Sequence, residues 1–312
     1  ITDNRLNNFE PMLSNIRAYK WSENWNEFPG IPVEFEVGEW FKSRIDVLLN
    51  FMENQWYYSF YISLVYISVI FSLQNYMKNR KPFSLRTPLF LWNALLAIFS
   101  IVGTIRCLPE FIDILSKQGI YGSFCNSSYF YDIRLVVWYW YFVMSKAFEL
   151  GDTIFVVLRK QKLYHLHWIH HVVTLCFCWY VFADVPGTAR WMVNMNFSVH
   201  SVMYTYYALR ALRFKIPRQI SMSITIAQIV QMLFGFYINI KSFQFKITGV
   251  ACDMSLPVAS TGLFIYSLFF IMFINYFVKS YLVSVFYAKA VKSNEILQNQ
   301  MNTTREMIKK CQ

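Results

Sequence analysis

The chain has 312 residues, 56% of them hydrophobic and 20% aromatic, while only 15% are charged, and its mean hydropathy is positive at +0.31. Soluble domains lie nearer about half apolar and about a quarter charged, so this balance excludes an ordinary soluble protein and points to lipid as solvent. The net charge of +11 would suit nucleic acid, but the basic residues fall between apolar stretches rather than along one solvated face, which excludes that class.

The first 50 residues are polar and mixed, with no visible secretory signal and with Trp40 to Asn54 as one candidate surface helix. Seven apolar windows follow, at roughly 57–77, 87–108, 135–157, 167–183, 191–211, 220–240 and 258–284. Each reaches or approaches the length of about 20 residues that a bilayer requires. The expected fold is therefore all-α and polytopic, with seven transmembrane helices. The expected division is an N-terminal segment 1–56, a seven-helix domain 57–284 and a tail 285–312.

The charge of the connections fixes an orientation. Lys78, Arg80, Lys81, Arg86, Arg159, Lys160, Lys162, Arg210, Arg213, Lys215, Arg218, Lys279, Lys289, Lys292, Arg305, Lys309 and Lys310 fall on one side. Arg106, Lys117, Arg134, Arg190, Lys241 and Lys246 fall on the other. The richer side is cytosolic by the positive-inside rule, which leaves the N-terminus luminal and the tail cytosolic. Asn126-Ser127-Ser128 is then an N-glycosylation acceptor on the luminal side, whereas the sequons at Asn196 and Asn302 are in a span and in the tail. The terminal Lys309-Lys310-Cys311-Gln312 resembles a dilysine retrieval signal of endoplasmic-reticulum membrane proteins. Cys125 and Cys252 both fall in luminal connections, and two readings stand, a disulfide or two free thiols.

Only five histidines are present, and His165, His167, His170 and His171 occupy seven positions. His167, His170 and His171 share one helical face through their i, i+3, i+4 spacing. His200 stands mid-span in the stripe Asn196, His200, Met203, Tyr204, Tyr207. On the third window Lys146, Glu149 and Thr153 follow i, i+3, i+7, with Asp152 alongside. Ionisable groups inside membrane helices are costly unless they pair or line a cavity, so these residues mark a site. Glu149 and Asp152 are expected to orient histidines by accepting from a ring N–H.

Three motifs together, Lys146-xx-Glu149-xx-Asp152-Thr153, Leu158-Arg159-Lys160 and His167-Trp168-Ile169-His170-His171, resemble those of the fatty acid elongase (ELO) family. Met195-Asn196-xxx-His200-xx-Met203-Tyr204-x-Tyr206-Tyr207 and Thr225-xx-Gln228-xx-Gln231 match it further, in order and over roughly residues 55–285. Leu158 to Trp168 and Met203 to Leu212 look most like the group acting on saturated and monounsaturated chains. One departure is Ile169, where the family usually has tyrosine, so no role falls to a hydroxyl there.

The resemblance implies a condensing enzyme of the endoplasmic reticulum that joins an acyl-CoA to malonyl-CoA, releasing carbon dioxide and a 3-ketoacyl-CoA two carbons longer. It implies a narrow acyl tunnel open to the cytosol and no metal or other cofactor. It also implies a cycle shared with a ketoacyl reductase, a dehydratase and an enoyl reductase, and it is compatible with a homo-oligomer. His170 is the candidate nucleophile, His200 the group that positions the second substrate or stabilises its enolate, and His167 and His171 those that shape and polarise the site with Asn196 and Gln228. Arg159, Lys160, Lys162, Arg210 and Arg213 are the candidate cations for CoA phosphates. Cys178 is a weaker nucleophile candidate, because eight residues separate it from His170, about 12 Å along a helix. Chain length is expected to be set near the luminal end of the tunnel, on the sixth and seventh windows.

Two other classes compete. A membrane di-iron desaturase or hydroxylase also carries an HxxHH box but needs several boxes and about eight histidines, ligated as neutral imidazoles. A seven-helix receptor or transporter has the span count, but its ligand site lies towards the outer face. Here the polar residues gather beside the basic connections.

Overall fold

The structure is a computed structural model that describes residues 43–283 together with residues 298 and 301. The expected tail signal at Lys309 and Lys310, and most of the N-terminal segment 1–56, lie outside the described residues. Among the described residues there are no strands. The helices are α1 (Ile45–Gln55), α2 (Tyr58–Met77), α3 (Arg86–Cys125), α4 (Ile133–Phe148), α5 (Gly151–Leu158), α6 (His165–Phe182), α7 (Ala189–Ala211), α8 (Arg218–Ile247) and α9 (Leu256–Phe277). A 3₁₀ turn at Ser128–Tyr131 precedes α4, and a π-helical turn at Val278–Val283 extends α9.

Four of these, α2, α3, α8 and α9 with its extension, are long and apolar enough to cross a membrane. Their outward faces carry large apolar side chains such as Leu64, Leu91, Ile98, Phe264 and Ile271, all exposed. Such faces are stable only against lipid or a partner. Helices α4, α6 and α7 bury the polar residues instead, including Lys146, Glu149, His171, Asn194 and His200.

Two windows differ from their expected form. The second does not stop at 108. Its helix runs through Pro109 to Cys125, interrupted only at Gly119, where φ is 66°. The third is not one helix, because it ends at Phe148 and restarts at Gly151 after two tightened residues, Glu149 and Leu150. Near the start of the chain, the candidate surface helix is α1. It buries Ile45, Leu49 and Met52 while Val47 and Phe51 stay exposed, with Phe51 set edge-on to Trp179 of α6.

The two ends of the molecule are built differently. At one end Phe83 N donates to Leu158 O, Arg86 Nε to Ala211 O, Lys160 Nζ to Lys78 O and Arg218 to Ser280 O. The connections meeting there carry lysine and arginine and no acidic residue. At the other end Cys125 and Cys252 form a disulfide, and acids answer the bases. Arg190, fully buried, donates to both oxygens of Glu110 and to the carbonyls of Ser123 and Asn126. Asp253 accepts from Ser127 N and Oγ, while Asp184 accepts from Ser255 N. Burial pushes the Asp184 carboxyl above its ordinary range, and the Ser255 hydrogen bonds hold it back. Gly187 is required here, since a Cβ would come within 2.7 Å of Phe124 O and 2.8 Å of the Cys125 carbonyl carbon.

Candidate functional site

Around the junction of α4 and α5 two carboxylates, Glu149 and Asp152, reach different partners. Glu149 Oε1 accepts from Ser145 Oγ at 3.0 Å and from Lys146 Nζ at 2.7 Å. Lys146 reaches on to Asn196 Oδ1 of α7 at 2.9 Å. An ammonium only donates, so Asn196 must turn its oxygen to Lys146 and its amide N–H to His200. That N–H donates to His200 Nε2 at 3.1 Å. The remaining ring proton of a neutral His200 is therefore on Nδ1, which is 3.9 Å from Glu149 Oε1. One relay, Glu149–Lys146–Asn196–His200, thus fixes a histidine tautomer without touching its second nitrogen.

Asp152 builds a second relay. Its Oδ1 accepts from Trp92 Nε1 of α3 at 2.6 Å and its Oδ2 from Tyr204 OH of α7 at 2.8 Å. His171 Nε2 stands 4.0 Å from the same Oδ2. Gly151 makes this possible, because a Cβ there would stand 2.6 Å from the Trp92 ring. The distances of 3.9 and 4.0 Å correct the expectation that Glu149 and Asp152 accept directly from histidine, since a hydrogen bond needs about 3.2 Å or less. Thr153 turns the other way and bonds Tyr66 of α2 at 2.6 Å.

On α6 the His167 and His171 rings meet edge to face at 4.7 Å, with His170 and His171 at 5.8 Å. His170 packs between Phe269 and Phe273 of α9, at 4.7 and 6.0 Å. His167 Nε2 and His170 Nδ1 are buried and have no hydrogen-bond partner. His165 is exposed and stands apart, and Ile169 is half-buried. Gln228 donates to Met203 Sδ at 3.3 Å. Among the described residues no set of three His, Cys, Asp or Glu side chains is arranged to hold a metal ion.

Below this polar layer lies a small cavity of about 50 Å³ whose wall comes from α4, α6, α7, the turn before α4 and the turn before α7. Phe142 belongs to both, because its ring lines the cavity and carries Lys146 Nζ at 4.2 Å. Cys178 is also in the wall, and Tyr129, Phe130, Val185 and Pro186 occupy the disulfide end. No wall residue comes from α8 or α9, the helices on which the depth of the tunnel was expected to depend.

The candidate CoA cations all fall at the basic end. Arg159 is half-buried, while Arg210 and Arg213 are exposed at the end of α7. Lys162 lies over the Tyr164 ring at 5.0 Å. Lys160, with Lys78, lines an open groove between α2 and the end of α5. Trp92 and Tyr66 are the site residues that the sequence reading missed. Neither stands out among 10 tryptophans and 21 tyrosines, and only their position opposite the carboxylate motif distinguishes them.

The family comparison rests on these same helices. The GNS1/SUR4 (ELO) family matches residues 51–287, which include every helix that contributes to the two relays and the cavity. The chain belongs to the ELO family. It is 46% identical over 236 residues to the very long chain fatty acid elongase 6 of Drosophila melanogaster, covering 75% of each chain. It is 42% identical over 261 residues to the putative fatty acid elongase 3 of Caenorhabditis elegans, covering 83% of this chain and 79% of that one. With the human very long chain fatty acid elongase 3 the identity is 37% over 232 residues, or 74% and 86% of the two chains. Membership makes this a multi-pass membrane protein.

Proposed function

We propose that this ELO protein is a fatty acid elongase, a 3-ketoacyl-CoA synthase that condenses a long-chain acyl-CoA with malonyl-CoA. The observation that carries this reading is the juxtaposition at Phe142, a relay of ionisable groups on one side and an apolar cavity on the other. The apolar side chains of that wall suit contact with a fatty acyl tail, while the thioester stays in the polar layer. None of the named relatives is a desaturase.

In the proposed step His170 attacks the thioester carbonyl. A C–N bond forms, the C–S bond breaks, and CoA leaves with a proton as the thiol. Malonyl-CoA then loses carbon dioxide, its enolate attacks the acyl carbon, and the C–N bond breaks as the departing ring nitrogen takes up a proton from solvent, which restores the neutral imidazole. His200, held by Asn196, presents its Nδ1 proton towards the Glu149 side and stabilises the enolate oxygen. His167 and His171 pack around the nucleophile. Arg159, Lys160, Lys162, Arg210 and Arg213 bind CoA phosphates at the basic end. The 3-keto product must be reduced, dehydrated and reduced again, so a reductase, a dehydratase and an enoyl reductase are the expected partners.

The seven-span arrangement counts α4–α5, α6 and α7 with the four longer helices. It places the basic end in the cytosol and the disulfide end in the lumen of the endoplasmic reticulum. A glycosidase-sensitive mobility shift lost in Asn126→Gln is the expected sign of that orientation. No shift in cells that glycosylate a control protein, with the basic loops protected from added protease, would reverse it.

The mechanism is tested by incubating the purified protein with a saturated acyl-CoA alone and measuring its intact mass. The expected result is a gain equal to the acyl group, absent in His170→Ala and discharged by malonyl-CoA. Formation of 3-ketoacyl-CoA with no adduct would leave the elongase and remove the covalent step. Neither adduct nor product over a range of chain lengths would overturn the elongase reading.

A further inference from the structure

A larger, open space lies at the basic end of the molecule. Between the end of α2 and the end of α5 is a groove of about 490 Å³, within the range of about 300–1,000 Å³ that small-molecule sites occupy. Among the described residues its wall carries two lysines, Lys78 and Lys160, three carboxamides, Gln74, Asn75 and Gln161, and no acidic residue. Phe71 belongs both to this wall and to the exposed apolar face of α2. Of the five cations placed against CoA only Lys160 lines the groove, and one of its three donors is spent on Lys78 O at 3.0 Å. Lys160 also holds a left-handed backbone, with φ at 52°, at a helix end where glycine is the easier residue. An ammonium therefore stands there at a conformational cost, as a strut that fixes the Lys78 main chain. Lys78 itself is exposed, and among the described residues nothing accepts from its Nζ.

We infer that this groove seats the headgroup of an anionic phospholipid whose phosphate carries a polyol, phosphatidylinositol being the simplest such lipid. The length of α2 gives the depth. Its 20 residues rise about 30 Å at about 1.5 Å each, the thickness of a bilayer's hydrocarbon core. The groove takes only the last two turns of α2 and the residue beyond them, Phe71 to Lys78, so it opens at headgroup level. There Arg80 lies over the Tyr76 ring at 3.9 Å, an aromatic and a cation at the polar boundary. Each feature of the wall has a counterpart in such a lipid. Lys78 is the counter-charge of the phosphodiester. The carboxamides both donate and accept, as a ring of hydroxyls requires and a bare phosphate does not. Phe71 continues the groove onto the apolar face of α2, along which the acyl chains run. The inference goes beyond the condensation reading and depends on it nowhere.

The experiment is native mass spectrometry of the full-length protein in detergent, offered dioleoylphosphatidylinositol and dioleoylphosphatidylcholine at equal concentration. The inositol lipid is expected to be retained at least about fivefold more, the difference that one lysine makes beside an anionic headgroup. Lys78→Gln should remove that preference, and Lys78→Arg should keep it. Dioleoylphosphatidic acid, a bare phosphate on the same chains, should be retained less than the inositol lipid. Free CoA added at a large excess should leave the bound inositol lipid in place.

Equal retention of the inositol and choline lipids would overturn the inference, as would a preference unchanged in Lys78→Gln. Displacement of the inositol lipid by CoA would overturn it too, and would give the groove to the nucleotide end of CoA. Retention of phosphatidic acid equal to that of the inositol lipid would overturn the polyol assignment, because the wall would then read a phosphate alone. If Lys78→Gln does not fold, the lipid series and the CoA competition on the unaltered protein decide. None of these results bears on condensation, which the acyl-adduct measurement tests separately.

Discussion

Lys146 is 2% exposed, yet it spends its donors on two different partners, Glu149 in the break that ends its own helix and Asn196 on α7. Removing its charge leaves a carboxylate, 6% exposed at its side chain, without a cation. Breaking a buried pair costs more than replacing both members, because the survivor has no solvent to return to. Lys146→Met is therefore expected to lower stability by about 3 kcal/mol, and Lys146→Met/Glu149→Gln to recover much of it. Thermal unfolding in detergent measures both. Elongation should stay low in the double variant, since Asn196 loses the partner that sets its amide and hence the His200 tautomer. The histidines and the carboxylate motif were legible in the sequence because such residues are rare in membrane helices and their spacing gives a common face. The partners of those residues were not. Trp92 donates to Asp152 across 60 positions of chain, and no local pattern records a contact of that separation.

At the scale of elements, the third apolar window shows why hydropathy alone misplaces a site. It is continuous in hydropathy, so it reads as one span, but its backbone tightens at Glu149 and Leu150 and restarts at Gly151. A straight helix would have put Glu149, Asp152 and Thr153 close to one face. The break gives Glu149 to the Lys146 relay, Asp152 to Trp92 and Tyr204, and Thr153 to Tyr66. The length of α3 was hidden for a related reason, since Pro109 and Glu110 read as a loop. Pro109 is accommodated within the helix, and Glu110 is needed inside to receive Arg190. At the same end the Cys125–Cys252 bridge closes a separation of 127 residues. Chain entropy would credit a loop of that size with about 5 kcal/mol in a soluble protein. Helices already held in a bilayer keep part of that order when unfolded, so Cys125→Ser is expected to cost less, on the order of 2 kcal/mol. The check is a lower unfolding midpoint for the variant that matches the midpoint of the unaltered protein after reduction.

The whole molecule is electrically lopsided. Its basic end gathers Lys78, Arg86, Arg159, Lys160, Arg210, Arg213 and Arg218 with no acidic residue in the same connections, while at the disulfide end Glu110 answers Arg190, and Asp184 and Asp253 accept from serines. This division was readable from the sequence, because it is a matter of counting between apolar windows. The cavity was not, since its wall is drawn from three helices and two turns whose apolar residues look like any others. Substrates bearing several phosphates are attracted to the basic end over a distance set by ionic strength, about 8 Å at physiological salt. Arg210→Glu/Arg213→Glu is therefore expected to raise KM for malonyl-CoA severalfold at low salt, with kcat little changed. The difference should shrink as salt is added. Initial-rate kinetics at two ionic strengths check this, and an unchanged KM at low salt would remove both arginines from the CoA site.

Tyr129, Phe130 and Pro186 stand across the far end of the cavity, with Tyr129 tied to Pro186 O. On the proposed reading of this cavity as the acyl site, with entry from the histidine side, these residues stand opposite the entrance. A chain that enters as reactant then backs out as product along the same path. Growth is then distributive, one two-carbon unit for each visit. The lengthened chain competes with the next arrival for the doorway, and its exit, rather than the bond-forming step, becomes the natural place for the rate of the cycle to be set.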